Sequence, residues 1–204
     1  MKPSNSVYHI LNEGDMVLLS YSTNVGFFYL ADSNNFSTNI ILDESNPSVI
    51  PHVLKMIAKE AAIAWGTPSG RSLKIQFLFP DEKQLNSLSD IEPKNYSAAV
   101  RFILQTQGEV VFGNQDDIWL AAHTKSSKIG EFSLDDPKGG AHVFKIDNGR
   151  YLISIFRHFP WIEGEQDAEL GSPKAHYSII FSRSLGDDKL PHMSIPWVRE
   201  LAQK

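Results

Sequence analysis

Hydrophobic positions along this chain form short clusters separated by polar stretches rich in Asn, Ser, Asp, Gly and Pro. Met16–Ser22 (MVLLSYS) and Val25–Leu30 (VGFFYL) have the β-branched and aromatic content of strands and predict two of them, joined at Thr23-Asn24. Residues 1–14 read as an irregular arm, 32–39 as a polar loop, and Ile40–Leu42 as a third short strand. Helical spacing follows. Ile50, Val53, Leu54, Ile57, Ala61 and Ala64 fall on one face, with Asn46 as N-cap, Pro47 at the first helical position, and Gly66 and Pro68 as stop signals. Ser72–Phe79 predicts a strand, and 81–91 a short helix with Leu85 and Leu88 inward. A second main helix is expected from Pro93 to Gly108, with Tyr96, Ala99, Val100, Ile103 and Leu104 as its apolar stripe.

Strand patterns fill most of the second half: Glu109–Phe112, Ile118–His123, Ile129–Leu134, His142–Ile146, Arg150–Phe159 and Lys174–Ser184. Asp147-Asn148-Gly149 lies between two of them. Asn-Gly tolerates the positive φ angles of a type I′ turn, so this stretch predicts a tight hairpin that pairs Ile146 with Tyr151 and Phe144 with Ile153. In the last strand Ala175, Tyr177, Ile179 and Phe181 alternate with Lys174, His176, Ser178 and Ser182, the pattern of a sheet with one wet face. A short helix is expected from Ile195 to Ala202. Together these elements predict an α+β fold. It is a single domain over 1–204 with a largely antiparallel sheet, two main helices from the N-terminal half and a short C-terminal helix. The one composition shift, 135–140 (DDPKGG), reads as a loop or a weak boundary.

Composition narrows the class of protein. At 42% hydrophobic and 21% charged, the chain has the make-up of a globular domain. It has no cysteine, which excludes disulfides, thiolate metal ligands and a cysteine nucleophile. The N-terminal residues lack the apolar core of a secretory signal, and no apolar run is long enough to cross a bilayer, so a cytoplasmic, non-membrane protein is expected. A formal net charge of −5 and scattered Lys and Arg disfavour nucleic acid as a partner.

No motif fixes a reaction. GxGxxG, GxxxxGK[ST], GxSxG and HExxH are absent, and TPSGRS at 67–72 follows the predicted helix where a phosphate cradle would precede one. The pairs Asp116-Asp117, Asp135-Asp136 and Asp187-Asp188 adjoin turn-forming residues, which explains them without catalysis. His123, His142, His158 and His176 fall at or near predicted strand ends. An acid/base or metal site built from them is the enzymatic alternative, of a hydrolase-like kind, although hairpin parity sets His142 and His158 on opposite faces.

A long excursion between predicted strands, 160–173 (PWIEGEQDAELGSP), holds Glu163, Glu165, Asp167 and Glu169 with no Lys or Arg, and Trp161 beside them. It reads either as a solvated acidic loop with Trp161 tucked into the fold, or as a binding loop. The second reading sets Trp161, Glu163, Glu165, Asp167 and Glu169, with His176 on the neighbouring sheet face, against a basic protein partner. The expected function is therefore a non-catalytic protein-binding module without a cofactor or metal. An immunity-type inhibitor of a basic toxin and an assembly adaptor both fit that profile.

Overall fold

The computed structural model describes residues 7–23, 26–36, 48–68, 71–81, 96–124, 129, 141–160, 174–184, 186 and 194–197. Among these residues, ten strands and two helices follow one another in the order β1 (Val7–Ile10), β2 (Met16–Thr23), β3 (Phe27–Asp32), α1 (Ile50–Ile57), β4 (Ala62–Gly66), β5 (Arg71–Leu78), β6 (Ala98–Thr106), β7 (Glu109–Asn114), α2 (Gln115–Thr124), β8 (His142–Lys145), β9 (Gly149–Arg157) and β10 (Tyr177–Arg183). They build two five-stranded sheets, ordered β1-β8-β7-β3-β4 and β2-β5-β10-β9-β6. The expected α+β character stands. The sheets are mixed rather than antiparallel throughout, because β1 runs parallel to β8 and β5 parallel to β10.

The inner faces of the two sheets close on one aromatic core that includes Tyr21, Phe28, Trp65, Phe77, Phe112, Phe144 and Tyr177. Phe28, Trp65 and Phe77 all pack on Phe112, in edge and stacked arrangements with centroids 5.1–6.2 Å apart. The outer face of the first sheet buries Phe27, Tyr29, Ala31, Ala62, Ala64 and Val111 beneath Val49, Ile50, Val53, Met56 and Ile57 of the α1 segment. Being buried on both faces, β3 and β4 lose the in–out alternation that would mark them as strands.

Three local expectations are corrected. The first concerns α1, which starts at Ile50, with Pro51 in its first turn and the Ser48 hydroxyl accepting from the Ile50 amide at 3.3 Å. It ends well before Gly66. Glu60 takes the left-handed conformation (φ 56°), while the Ala61 and Glu60 amides donate back to Met56 and Ile57 carbonyls, the Schellman pattern. Arg150 grips Glu60 through both carboxylate oxygens at 2.7 and 2.8 Å and holds its carboxyl below the usual range. A charged residue thus stands where a glycine was expected, and the chain continues into β4. The second concerns 93–108, where the stripe read as helical belongs to strand β6. Ala98, Val100, Phe102 and Leu104 point to the core with a period of two. The third concerns 118–123, which lies within helix α2. Asn114 caps it, its side chain accepting from the Asp116 amide at 2.9 Å, and Asp117 accepts from the Asn114 amide at 2.9 Å. This reciprocal capping box was legible as Asn-x-x-Asp.

The predicted hairpin at Asn148-Gly149 does not form. β8 lies in the first sheet beside β7, and β9 lies in the second beside β6. β6–β7 and β8–β9 are therefore two continuous bent strands that pair along their length and turn a corner from one sheet to the other. At the corner Thr106 sits opposite Gly149 and Glu109 opposite Lys145. Two residues on one strand there face three on the other, the bulge by which sheets bend. Gly108 takes φ 100° at this point, a conformation open to glycine. The buried Asp32 carboxylate locks the corner by accepting from Thr106 Oγ1 (2.7 Å), Gln107 N (2.6 Å), Asn34 N (3.0 Å) and Asn35 N (2.7 Å). Thr23-Asn24 likewise separates strands of different sheets, β2 and β3.

The expected arm contains strand β1. The short helix at 81–91, the strands at 40–42 and 129–134 (apart from Ile129, in a turn) and most of the 195–202 helix lie outside the described residues. So do Trp161, Glu163, Glu165, Asp167 and Glu169.

Candidate functional site

At one side of the sandwich β4 and β6 approach each other; at the other, the five residues 11–15 hold edge strands β1 and β2 together. That second side is open. Among the described residues no strand pairs with the outer edge of β1 or of β2. Neither strand (VYHI, MVLLSYST) contains a charged residue. Natural edge strands are usually guarded by Lys, Pro or inward charges. Here the two edges instead expose Ile10 (77%), Tyr8 (61%), Met16 (61%), Leu18 (56%) and Val7 (49%), and only Tyr96 and Trp119 match them elsewhere among the described residues. Tyr8 and Ile10 stand on the outer face of the first sheet and Met16 and Leu18 on that of the second, on either side of the 11–15 link, and exposed apolar side chains gathered on unguarded edges in this way mark an interaction surface.

Just inside the flank, His9 and His142 meet. His9 Nε2 lies 3.1 Å from His142 Nδ1, with ring centroids 5.4 Å apart, and Phe144 stacks on His9. Burial, reinforced by the neighbouring His9, pushes His142 down to about 4, and burial lowers His9 as well. The pair is therefore neutral near pH 7 and is a packed element of the core rim.

A pocket of about 330 Å³ opens beside the 11–15 link. The link is braced: the Asp15 carboxylate accepts from the Asn12 amide at 2.7 Å, Phe79 N donates to Asp15 O at 3.0 Å, and Gly14 N donates to Phe79 O. The pocket walls are Leu11, Phe79, Pro80, Ile146, Tyr151 and Phe181. Its polar groups are Asn12, Glu13, Asp147 and Arg183. Arg183 reaches Asp147 at 2.6 Å and Glu13 at 3.9 Å, and its guanidinium lies 5.5 Å from the Tyr151 ring centroid. Tyr151 Oη donates to the Asp147 carbonyl at 2.9 Å, and burial pushes this hydroxyl up.

Of the histidines singled out from the sequence, the His123 side chain lies outside the described residues, and His142, His158 and His176 form no common cluster. His142 pairs with His9, at the flank. His158 and His176 sit at the start of β10: His158 Nε2 is 2.8 Å from Ser178 Oγ, and His176 Nδ1 accepts from the Lys74 amide at 2.8 Å. Ser178 and His176 are both buried, so the face of β10 expected to be wet is covered along its length, Ser182 included. A serine beside an imidazole meets the first requirement of a nucleophilic pair, yet this serine is buried. Among the described residues no cluster of three or more His, Asp or Glu could hold a metal ion, and no helix is long and apolar enough to cross a membrane.

Fold and site together define a mixed two-sheet sandwich, helix-covered on one face and open along one apolar flank. Two solved structures are similar to it. ComJ from Bacillus subtilis, described as an inhibitor of the DNA-degrading activity of NucA, is 12% identical over 85% of this chain and 98% of its own, with a TM-score of 0.41. The product of crocagin biosynthetic gene J is 13% identical over 83% of this chain and 96% of its own, with a TM-score of 0.46. No protein-family model matches the sequence, and no curated protein matches it. No residue of the site is assigned from either likeness.

Proposed function

We propose that this protein is a non-catalytic protein-binding module that covers part of a basic partner, as an immunity-type inhibitor or an assembly adaptor does. The observation that supports this reading is the flank: two uncharged edge strands, joined through residues 11–15, that carry five large exposed apolar side chains. Removing such residues from water contributes about 25 cal/mol per Å² against the entropic cost of association, and edge backbone groups accept a further strand. The net charge of −5 and the acids Glu163, Glu165, Asp167 and Glu169 belong to the same proposal, as groups that steer a basic protein toward the surface. Trp161 belongs to it as contact area; His176, buried rather than facing a partner, positions the strand after the acidic stretch through its bond to the Lys74 amide.

The test begins with a photo-crosslinking residue at Tyr8 or Leu18, tried first against the product of the neighbouring gene. Binding of the captured and purified partner is then measured with the Ile10→Asp, Leu18→Asp double variant. Affinity should fall at least about tenfold, as for loss of a central apolar contact. Unchanged affinity removes the flank from the binding surface and the proposal with it.

A further inference from the structure

We infer that the pocket beside the flank is an anchor for an arginine side chain of the partner. This inference rests on the protein-binding reading and names the chemistry of one contact within it. Glu13 and Asp147 both lie against Arg183, two carboxylates to one guanidinium, so one negative charge is left at the mouth of the pocket. The walls are aromatic. Tyr151 already carries a guanidinium over its ring, and the stacked pair Phe79 and Phe181, with centroids 4.5 Å apart, forms an aromatic part of the wall. Arg183 thus shows in the molecule itself how this site receives such a group, flat on a ring and in reach of carboxylates. A guanidinium suits this arrangement better than an ammonium, because its planar fork both stacks and pairs with carboxylate oxygens. The volume of about 330 Å³ lies at the lower end of ligand pockets and suits one side chain. The pocket is continuous with the flank through Leu11, Asn12 and Glu13, so a segment lying on β1 or β2 brings its side chains to the opening.

Backbone amide shifts of the ¹⁵N-labelled full chain, titrated with Nα-acetyl-arginine amide, test the anchor without any partner. Saturable shifts are expected at Asp147, Tyr151 and Arg183 with a Kd of order millimolar, as for an exposed ion pair with ring stacking. The Glu13→Gln, Asp147→Asn variant should weaken binding about fivefold or more. Both positions are exposed, and retained dispersion of the amide spectrum confirms that the variant folds. Nα-acetyl-norleucine amide should leave the three amides unmoved. The anchor is overturned by an absence of saturable shifts, by norleucine amide matching arginine amide, or by the double variant binding as tightly as the native chain. Spermidine binding more tightly than arginine amide also overturns it, in favour of a free polyamine. Because Ile10 and Leu18 take no part here, failure of the pocket and failure of the flank are separate results.

Discussion

Single carboxylates set much of the local energetics. Asp32 satisfies four donors at the corner with its two oxygens. Asp32→Asn would present an NH₂ group to donors, and should cost about 2–4 kcal/mol in urea unfolding, as expected where charge-assisted bonds are lost in a buried site. Asp117 behaves differently. Burial, with Asp116 nearby, pushes it up to about 7, so between about pH 4 and 7 the folded state holds a proton that the unfolded state has released. Its contribution to stability therefore rises on acidification across that window, by about 1.4 kcal/mol per pH unit at most. His142 opposes it. Its folded value of about 4 means that from about pH 6.5 down to 4 the unfolded state binds the proton, and stability is lost as pH falls. Urea unfolding at pH 7.5, 6 and 4.5 should show Asp117→Asn losing stability on acidification more steeply than the native chain, and His142→Gln losing it less. Parallel profiles for all three proteins would refute the assignment.

At the scale of elements, β6 supplies the sharpest test. Phe102 points into the core and Arg101 is exposed on the opposite face. Phe102→Ala should cost about 3–5 kcal/mol and Arg101→Ala under about 0.5 kcal/mol by chemical denaturation. Gly113, in β7 opposite Tyr29, sits at a close approach, where a Cβ would stand 2.7 Å from Tyr29 Oη and also collide with the Asp117 carboxylate. Gly113→Ala should destabilise by about 1–3 kcal/mol and shift the pH dependence assigned to Asp117. These elements also show what the sequence could reveal. β2, β5, β9 and β10 were legible because their inner residues alternate with a period of two. β4 was not, since AIAWG is buried on both faces and fits either period. β6 was misread because Ile103, on its outer face, is buried with Phe102 and Leu104, and the run imitates a helical stripe. Asn148-Gly149 did mark a change of direction, but short-range turn chemistry does not say whether the flanking strands pair or part. The flank was hidden for a related reason: exposure of Tyr8, Ile10 and Leu18 depends on β1 and β2 being edges, and strand order is a long-range property. Glu13, Asp147 and Arg183 come from three distant stretches, and no spacing announces their meeting.

For the molecule as a whole, the open flank separates stability from association. Ile10→Lys and Leu18→Lys should leave the melting midpoint within a few degrees, as exposed positions do, while abolishing partner binding. Replacing Glu163, Glu165, Asp167 and Glu169 by neutral isosteres should slow association about tenfold at low ionic strength, and much less at high salt, in stopped-flow measurements with the partner. Equal association rates at both ionic strengths would remove these acids from steering. One further consequence comes from the strand order. β10 occupies the middle of its sheet, between β5 and β9, although it is the last of the ten strands to be synthesised. Until β10 is added, one backbone edge of β5 and one of β9 lack their partner, although β2 and β6 already pair with the other edges. The half-built sheet, with two open edges waiting for a strand about a hundred residues beyond β5, is the form of this chain most exposed to misassembly and most dependent on chaperones.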